Sequence, residues 1–188
     1  MLKNIEVEIR GLLNNQEYKD LIDFLDKNGT NKELDNRNTV FFIIPGKTLK
    51  VSQQIDKNIT KIALKMGDIV KDDAQTEYEI FFTLEQYDIA VNIFKNLGFN
   101  DIQITTQKRV NYMYKGASFS IKWSKDWGYH FEIDTVINEE QSIDDTKKKL
   151  LKLARSLNLS IMNEEEFGRR CAEIDAKHAL FNINQNGN

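Results

Sequence analysis

One cysteine, one proline and two histidines are all that this chain of 188 residues contains of those types. With Cys171 alone no internal disulfide can form, so the fold must rest on an apolar core, which a chain of this length is able to bury. With only His130 and His178 beside that cysteine, a His/Cys zinc site is nearly excluded. No apolar run approaches membrane-spanning length. The N-terminus leads straight into an alternating pattern rather than an apolar signal segment, so no membrane is expected and the location is expected to be cytoplasmic. Basic excess is missing too: 26 Lys and Arg stand against 29 Asp and Glu, for a net charge of -3. A nucleic-acid partner is therefore not expected, although a cleft can be positive on an acidic protein. The one proline lies in Pro45-Gly46, which reads as a turn, and no low-complexity linker divides the chain.

What is present is a repeated order of elements. Residues 5–10, Ile-Glu-Val-Glu-Ile-Arg, alternate strictly and predict a strand. Asn14-Asn15-Gln16-Glu17 begins a helix as a capping box. Tyr18, Leu21, Ile22 and Leu25 continue it at helical spacing to a stop at Asn28-Gly29. Three strands are expected over about 33–66, with turns at Pro45-Gly46 and Asp56-Lys57-Asn58. The order then recurs, with a strand at Glu77-Tyr78-Glu79-Ile80 and a capping box at Thr83-Leu84-Glu85-Gln86. The helical stripe Tyr87, Ala90, Val91, Phe94 stops at Gly98, and strands follow near 102–114, 117–124 and 128–137. Strand, helix and three strands, twice over, suit two half-sheets of four strands closing one barrel. Helices from about Ser142 to Leu157 and from about Asn163 to Ala179 complete a single domain over 1–181, with 182–188 as a frayed tail. The expected class is α+β: an eight-stranded antiparallel β-barrel or tunnel with helices packed outside.

Each strand sets charges against apolar residues. Ile5, Val7 and Ile9 oppose Glu6, Glu8 and Arg10. Ile62, Leu64 and Met66 oppose Lys61, Ala63 and Lys65, and Tyr78 and Ile80 oppose Glu77 and Glu79. Val110, Tyr112 and Tyr114 oppose Arg109 and Asn111. Phe119, Ile121 and Trp123 oppose Lys122, and Phe131 and Ile133 oppose His130, Glu132 and Asp134. Amphipathic helices outside a barrel cover its apolar faces, which would turn the charged faces inward. Such an interior is costly to close dry and suits a wet tunnel for a charged ligand. Glu-x-Glu carboxylates suit Mg²⁺ or Mn²⁺, and facing Lys and Arg suit phosphate oxygens. Alternating Glu and Lys equally describes a solvated face with cross-strand ion pairs. His130 reads first as a structural histidine and Cys171 as a packed thiol. Arg155, Arg169 and Arg170 read as helix-surface charges, and Trp123 and Trp127 as core and turn anchors.

Ile5-Glu6-Val7-Glu8-Ile9-Arg10-Gly11 resembles the Glu-x-Glu-x-Lys signature of the CYTH superfamily, the triphosphate tunnel metalloenzymes. Leu49-Lys50-Val51-Ser52, Ile62-Ala63-Leu64-Lys65, Glu77-Tyr78-Glu79, Lys108-Arg109 and Gly128 with Glu132-Ile133-Asp134 resemble later strands of that family. The resemblance implies an eight-stranded tunnel that binds a small molecule containing a triphosphate, with Mg²⁺ or Mn²⁺ as cofactor. It implies metal candidates Glu6, Glu8, Glu132 and Asp134, phosphate candidates Arg10, Lys50, Lys65, Arg109 and Lys122, and a catalytic set of Glu6, Glu8, Arg10 and Lys65, with Glu77 and Glu79 joining either shell. Arg10 replaces the signature lysine, Ser52 stands where an arginine is expected, and Lys122 falls where a carboxylate commonly sits. That charge reversal is consistent with a one-metal site, another substrate, or binding without turnover. The function expected is a metal-dependent triphosphatase. The alternatives are a class IV-type adenylate cyclase releasing cyclic AMP and pyrophosphate, a non-catalytic polyphosphate or nucleotide binder, and a purely structural barrel.

Overall fold

The alternating residues of Ile5–Leu13 form the first strand, β1, with Val7 and Ile9 buried on one face. The structure is a computed structural model that describes residues 5–66, 76–138 and 140–185, the side chains of 76, 77 and 179–185 excepted. Helix α1 (Asn15–Asn28) starts at the expected capping box, in which Asn14 Oδ1 accepts from the Glu17 amide and Glu17 accepts from the Asn14 amide. Then come β2 (Thr30–Leu34), β3 (Arg37–Ile44), β4 (Lys47–Gln54), β5 (Ile59–Met66) and β6 (Thr76–Thr83). A turn capped by Thr83 and Gln86 leads into α2 (Tyr87–Asn96). It is followed by β7 (Ile102–Tyr114), β8 (Ala117–Ser124), β9 (Gly128–Ile137), α3 (Ile143–Ser156) and α4 (Glu164–Gln185). α4 runs past the end expected near Ala179.

All the strands form one antiparallel sheet in the order β1-β9-β8-β7-β3-β4-β5-β6, with β2 beside β7. The expected repeat is present, with an exchange. The first strand of the first repeat, β1, pairs with β9 at the end of the second. The first strand of the second repeat, β6, pairs with β5 at the end of the first. The helices follow their strands: α1 packs on β1, β7 and β9, and α2 packs on β4.

The α+β class, an antiparallel tunnel with helices packed outside, is as expected, and two details differ from eight strands closing one barrel. There are nine strands, because the first strand expected over 33–66 is interrupted. Leu34 pairs with Val110 and Arg37 with Gln107, so the end of β2, after a shift between Thr30 and Glu33, shares one register along β7 with β3, broken at Asp35-Asn36. Asp35 keeps the ladder there through its amide, which donates to Arg109 O at 2.9 Å. The sheet is also not closed: β1 and β6, the ends of the path, share no pairing among the described residues. It curls far enough that Lys65 of β5 reaches Glu6 of β1 at 3.4 Å.

The apolar faces point outward to the helices and form two cores. One joins Val7, Ile9, Val110, Phe119, Ile121, Phe131 and Ile133 to Leu21 and Leu25 of α1 and Leu150 and Ala154 of α3. The other joins Val40, Phe42, Leu49 and Val51 to Ala90 and Val91 of α2. Each large apolar side chain buried there contributes about 1.5–3 kcal/mol. Among the described residues no helix is long and apolar enough to cross a membrane.

Candidate functional site

Outward apolar faces turn the opposite faces into a shared tunnel, part of a cavity of about 1170 Å³ that also reaches residues of α3 and α4. Glu6, Glu8, Arg10, Lys50, Lys65, Arg109, Lys122, Glu132 and Asp134 all line it. Of the strand charges expected inside, Glu77 has a side chain outside the described residues, and Glu79 forms an ion pair with Lys61.

Strand register sets which charges meet. Glu8 lies opposite Asp134, and Arg10 opposite Glu132. Lys122 lies opposite His130 on one side and Arg109 on the other. The Lys122 ammonium is bonded to Glu132, one step diagonally along β9. Arg109 donates from Nε to Asn111 Oδ1 at 2.7 Å and from Nη2 to Ser120 Oγ at 2.6 Å. These bonds fix its fork, since Ser120 is fully buried.

Burial and like charge pull the carboxylates apart. Glu8 is pushed up to about 7, chiefly by burial and then by Glu132, against the attraction of Arg10 and Lys122. Asp134 is pushed up to about 6 by burial and then by Glu6. Burial acts upward on Glu132 too, but Lys122, Arg109 and Arg10 hold it well below the carboxylate range. Burial lowers Lys122 to about 8 and also lowers Arg109. Arg10 Nη2 stands 2.9 Å from Glu8 Oε1, yet without the alignment of a hydrogen bond, so this buried oxygen has no hydrogen-bond donor.

The expected metal set of Glu6, Glu8, Glu132 and Asp134 does not close on one point: among the described residues no three His, Cys, Asp or Glu side chains are grouped to hold an ion. Glu132 is taken by Lys122 and Glu6 faces Lys65. The undonated Glu8 oxygen is the feature that fits a cation. The fit is to a hydrated Mg²⁺ or Mn²⁺ that takes one or two carboxylates and completes its shell with water and phosphate oxygens.

Several site residues escaped the sequence reading. Arg37 lines the tunnel and donates from Nε to Asp35 Oδ1 at 2.8 Å. Asp35 is fully buried at the break between β2 and β3, with Arg109 Nε at 3.7 Å and Lys57 Nζ at 3.9 Å. It accepts as well from Asn111 Nδ2 at 3.3 Å, so a single carboxylate sets Arg37 and Arg109 side by side. Burial raises Asp35, but the arginines and Lys57 more than offset it and hold the group below its ordinary value. His130, expected to be structural, lines the tunnel and is lowered to about 4 by burial and then by Lys122. It is thus neutral near pH 7: its Nδ1 donates to Gly128 O at 3.0 Å, and its Nε2 accepts from the Gln107 amide at 3.4 Å.

Phe41 and Ile43 of β3 line the tunnel with Gln103 and Thr105 of β7, Phe41 opposite Gln103 in the register. α4 crosses the turn before β9. Phe167 stacks on Trp127 at 5.6 Å and carries the Arg10 guanidinium at 4.0 Å. Arg170, expected on the helix surface, donates to Asp126 O at 2.6 Å, and His178 Nε2 lies 3.2 Å from Asp126 Oδ2. Beneath α4 the segment before it lies on β1: the Met162 amide donates to Arg10 O at 2.9 Å. Gly11 permits this approach, since a Cβ there would stand 2.1 Å from Ser160 O.

The family model of the CYTH domain matches residues 4–166. None of the curated proteins matches the sequence significantly. Among solved structures, the PH1012 protein of Pyrococcus horikoshii OT3 is 21% identical, with a TM-score of 0.68 over 86% of this chain and 98% of that one. A candidate adenylate cyclase from Vibrio parahaemolyticus is 17% identical, with a TM-score of 0.64 over 86% and 91%. An adenylyl cyclase candidate from Hippeastrum, described as having a dominant triphosphatase activity, is 14% identical, with a TM-score of 0.53 over 85% and 90%. At these identities the likeness is one of fold.

Proposed function

We propose that this chain, which belongs to the CYTH domain family, is a divalent-metal-dependent phosphohydrolase that cleaves a triphosphate held in its tunnel. The observation that carries the reading is the gathering of Arg10, Arg37, Lys50, Lys65 and Arg109 with the carboxylates Glu6, Glu8 and Asp134 along one cavity. Fixed cations of this kind hold phosphate oxygens in place and are preorganised for charge that develops at phosphorus.

Arg109 and Arg37, braced by Asp35 and Asn111, bind the phosphate chain as planar forks. Arg10 and Lys65 stand at the strands that carry Glu8 and Glu6 and orient the reacting end. Glu8, with Asp134 opposite it in the register, would hold the ion in company with phosphate oxygens and water. When bound, the ion neutralises charge on those oxygens and polarises the bond to be broken. Water attacks the terminal phosphorus, the bond from that phosphorus to its bridging oxygen breaks, and the water protons leave on the products.

A second reading has its own support. The lining residues Phe41, Ile43, Gln103 and Thr105 offer apolar surface and polar contacts of the kind that bind a base or another ring. That favours an organic triphosphate and keeps cyclisation of ATP, with loss of pyrophosphate, as the alternative chemistry. The test is a panel of tripolyphosphate, thiamine triphosphate and nucleoside triphosphates with Mg²⁺ or Mn²⁺, the products separated by chromatography. Orthophosphate release is the expected result. Cyclic nucleotide with pyrophosphate would replace it by the second reading, and no turnover with any substrate would refute both.

A further inference from the structure

We propose that the ammonium of Lys122 stands inside the tunnel's carboxylate group where a divalent cation would otherwise sit. The free protein is then neutralised from within, and metal enters only together with the phosphate chain. The first part follows from the geometry of the site, and the second rests on the triphosphate reading above.

Lys122 is a buried cation, 4% exposed, on a strand whose neighbouring residues Ile121 and Ser120 are fully buried. Its position in the register is decisive. Glu132 lies one diagonal step from Glu8 across β1 and β9, and Lys122 lies one diagonal step from Glu132 across β9 and β8. The ammonium bonds Glu132 and stands in the field of Glu8 as well. Two carboxylates taken out of water need a counter-charge. Elsewhere in the tunnel that charge comes from long side chains facing across it, as Lys65 faces Glu6 at 3.4 Å. At Glu132 it is supplied by a side chain rooted in the tunnel wall itself. An ammonium is a compact point charge that satisfies the carboxylate it touches but leaves no open position for phosphate oxygens. No three acidic, histidine or cysteine side chains among the described residues are grouped for an ion, so one needs further ligands from outside the protein. Glu8 Oε1 is left undonated beside the pair, where it can join an ion whose remaining ligands arrive with the substrate.

Thermal midpoints of the full chain and of Lys122→Gln, in chelator and then with Mn²⁺ alone at matched ionic strength, test the proposal without any triphosphate. The parent protein should keep its midpoint when Mn²⁺ is added. The variant, with Glu132 stripped of its bonded ammonium, should melt lower in chelator. Mn²⁺ should raise its midpoint by about 5–10 °C at a hundredfold excess over its dissociation constant. A parent protein stabilised by Mn²⁺ as much as the variant, or a variant that gains nothing from Mn²⁺, would overturn the proposal. Should the variant not fold, paramagnetic resonance of Mn²⁺ with the parent protein decides. The ion should stay free with protein alone, and with tripolyphosphate its resonance should broaden beyond that of the ion with tripolyphosphate and no protein. Tight binding to the protein alone would refute Lys122 as the resident cation. The same resonance with and without protein in the tripolyphosphate samples would refute metal entry with the phosphate chain, together with the triphosphate reading, while free ion with protein alone would still support the lysine as the resident cation.

Discussion

Replacing Glu8 by Gln should make the free protein more stable at alkaline pH and no more stable at acid pH. Gln has nearly the size of Glu and imitates its protonated form. Burial and then Glu132 push the Glu8 carboxyl from 4.5 to about 7. The native state therefore binds more protons than the unfolded chain between these values. The stability that Glu8 contributes is present below its unfolded value and is lost as pH rises through about 7. At 1.36 kcal/mol per unit, ionised Glu8 costs the native state about 3 kcal/mol by pH 8. Glu8→Gln removes that cost. The variant should melt about 6–12 °C above its parent at pH 8, with the difference shrinking towards zero near pH 5. The measurement is thermal unfolding of both proteins across this range, in chelator and at constant ionic strength. With Mg²⁺ and tripolyphosphate the order should reverse, because the variant loses a carboxylate for the ion. A midpoint difference that does not change with pH would refute the argument.

Arg109→Ala removes a charged fork held by Asn111 and Ser120, so the half-saturating concentration of the hydrolysed triphosphate should rise about tenfold or more, and a variant altered only in thermal stability would count against its role. Asp35→Asn strips the buried charge that faces Arg37, Arg109 and Lys57 and should cost about 3–5 kcal/mol in denaturant unfolding at neutral pH. Because Asp35 is held below its ordinary value, its contribution is intact above the unfolded Asp range and lost as pH falls through the folded value, so the difference between variant and parent should narrow in acid. Gly11→Ala places a methyl group 2.1 Å from Ser160 O and 2.7 Å from the Phe131 ring, for an expected loss of about 3 kcal/mol by the same assay, and an unchanged unfolding midpoint would contradict the close approach.

Local chemistry in the sequence announced much of the fold. The box at Asn14 and Glu17 and its counterpart at Thr83 and Gln86 read directly as helix starts, because each is a contact within four residues. Strict alternation in β1 gave the direction of Glu6, Glu8 and Arg10 before any partner strand was known. β2 was hidden because Thr30–Leu34 has no apolar alternation and is exposed throughout. The phase of β3 was hidden for the opposite reason: Val40 to Ile44 is apolar without a break, so nothing marked Arg37 and Phe41 as inward. The bond of Lys122 to Glu132 and the bracing of two arginines by Asp35 depend on the register of separate strands, which no short window of sequence contains. Alternation put His130 on the inward face with Glu132, but its neutrality comes from burial beside Lys122, which no local pattern announces.

The exchange of first strands between the repeats governs the order in which the chain can assemble. β6 and α2 are the next elements after β5, so β4 and β5 have their strand partners and helix within a short stretch, and only the outer side of β3 waits for β7; this half can form while later residues are still being synthesised. β1 and α1 are made first, but β1 finds its partner only in β9. The larger core must therefore wait for contacts of high sequence separation, which close slowly. Until then the Glu6, Glu8 and Arg10 strand has no ladder, so the tunnel wall that carries it is the last to form. Pulse-labelled hydrogen exchange during refolding should find amides of β4 and β5 protected before those of β1, and simultaneous protection would exclude this order. The same exchange makes each half dependent on a strand from the other repeat, so a chain severed between β5 and β6 yields two pieces that can complete their sheets only by recombining.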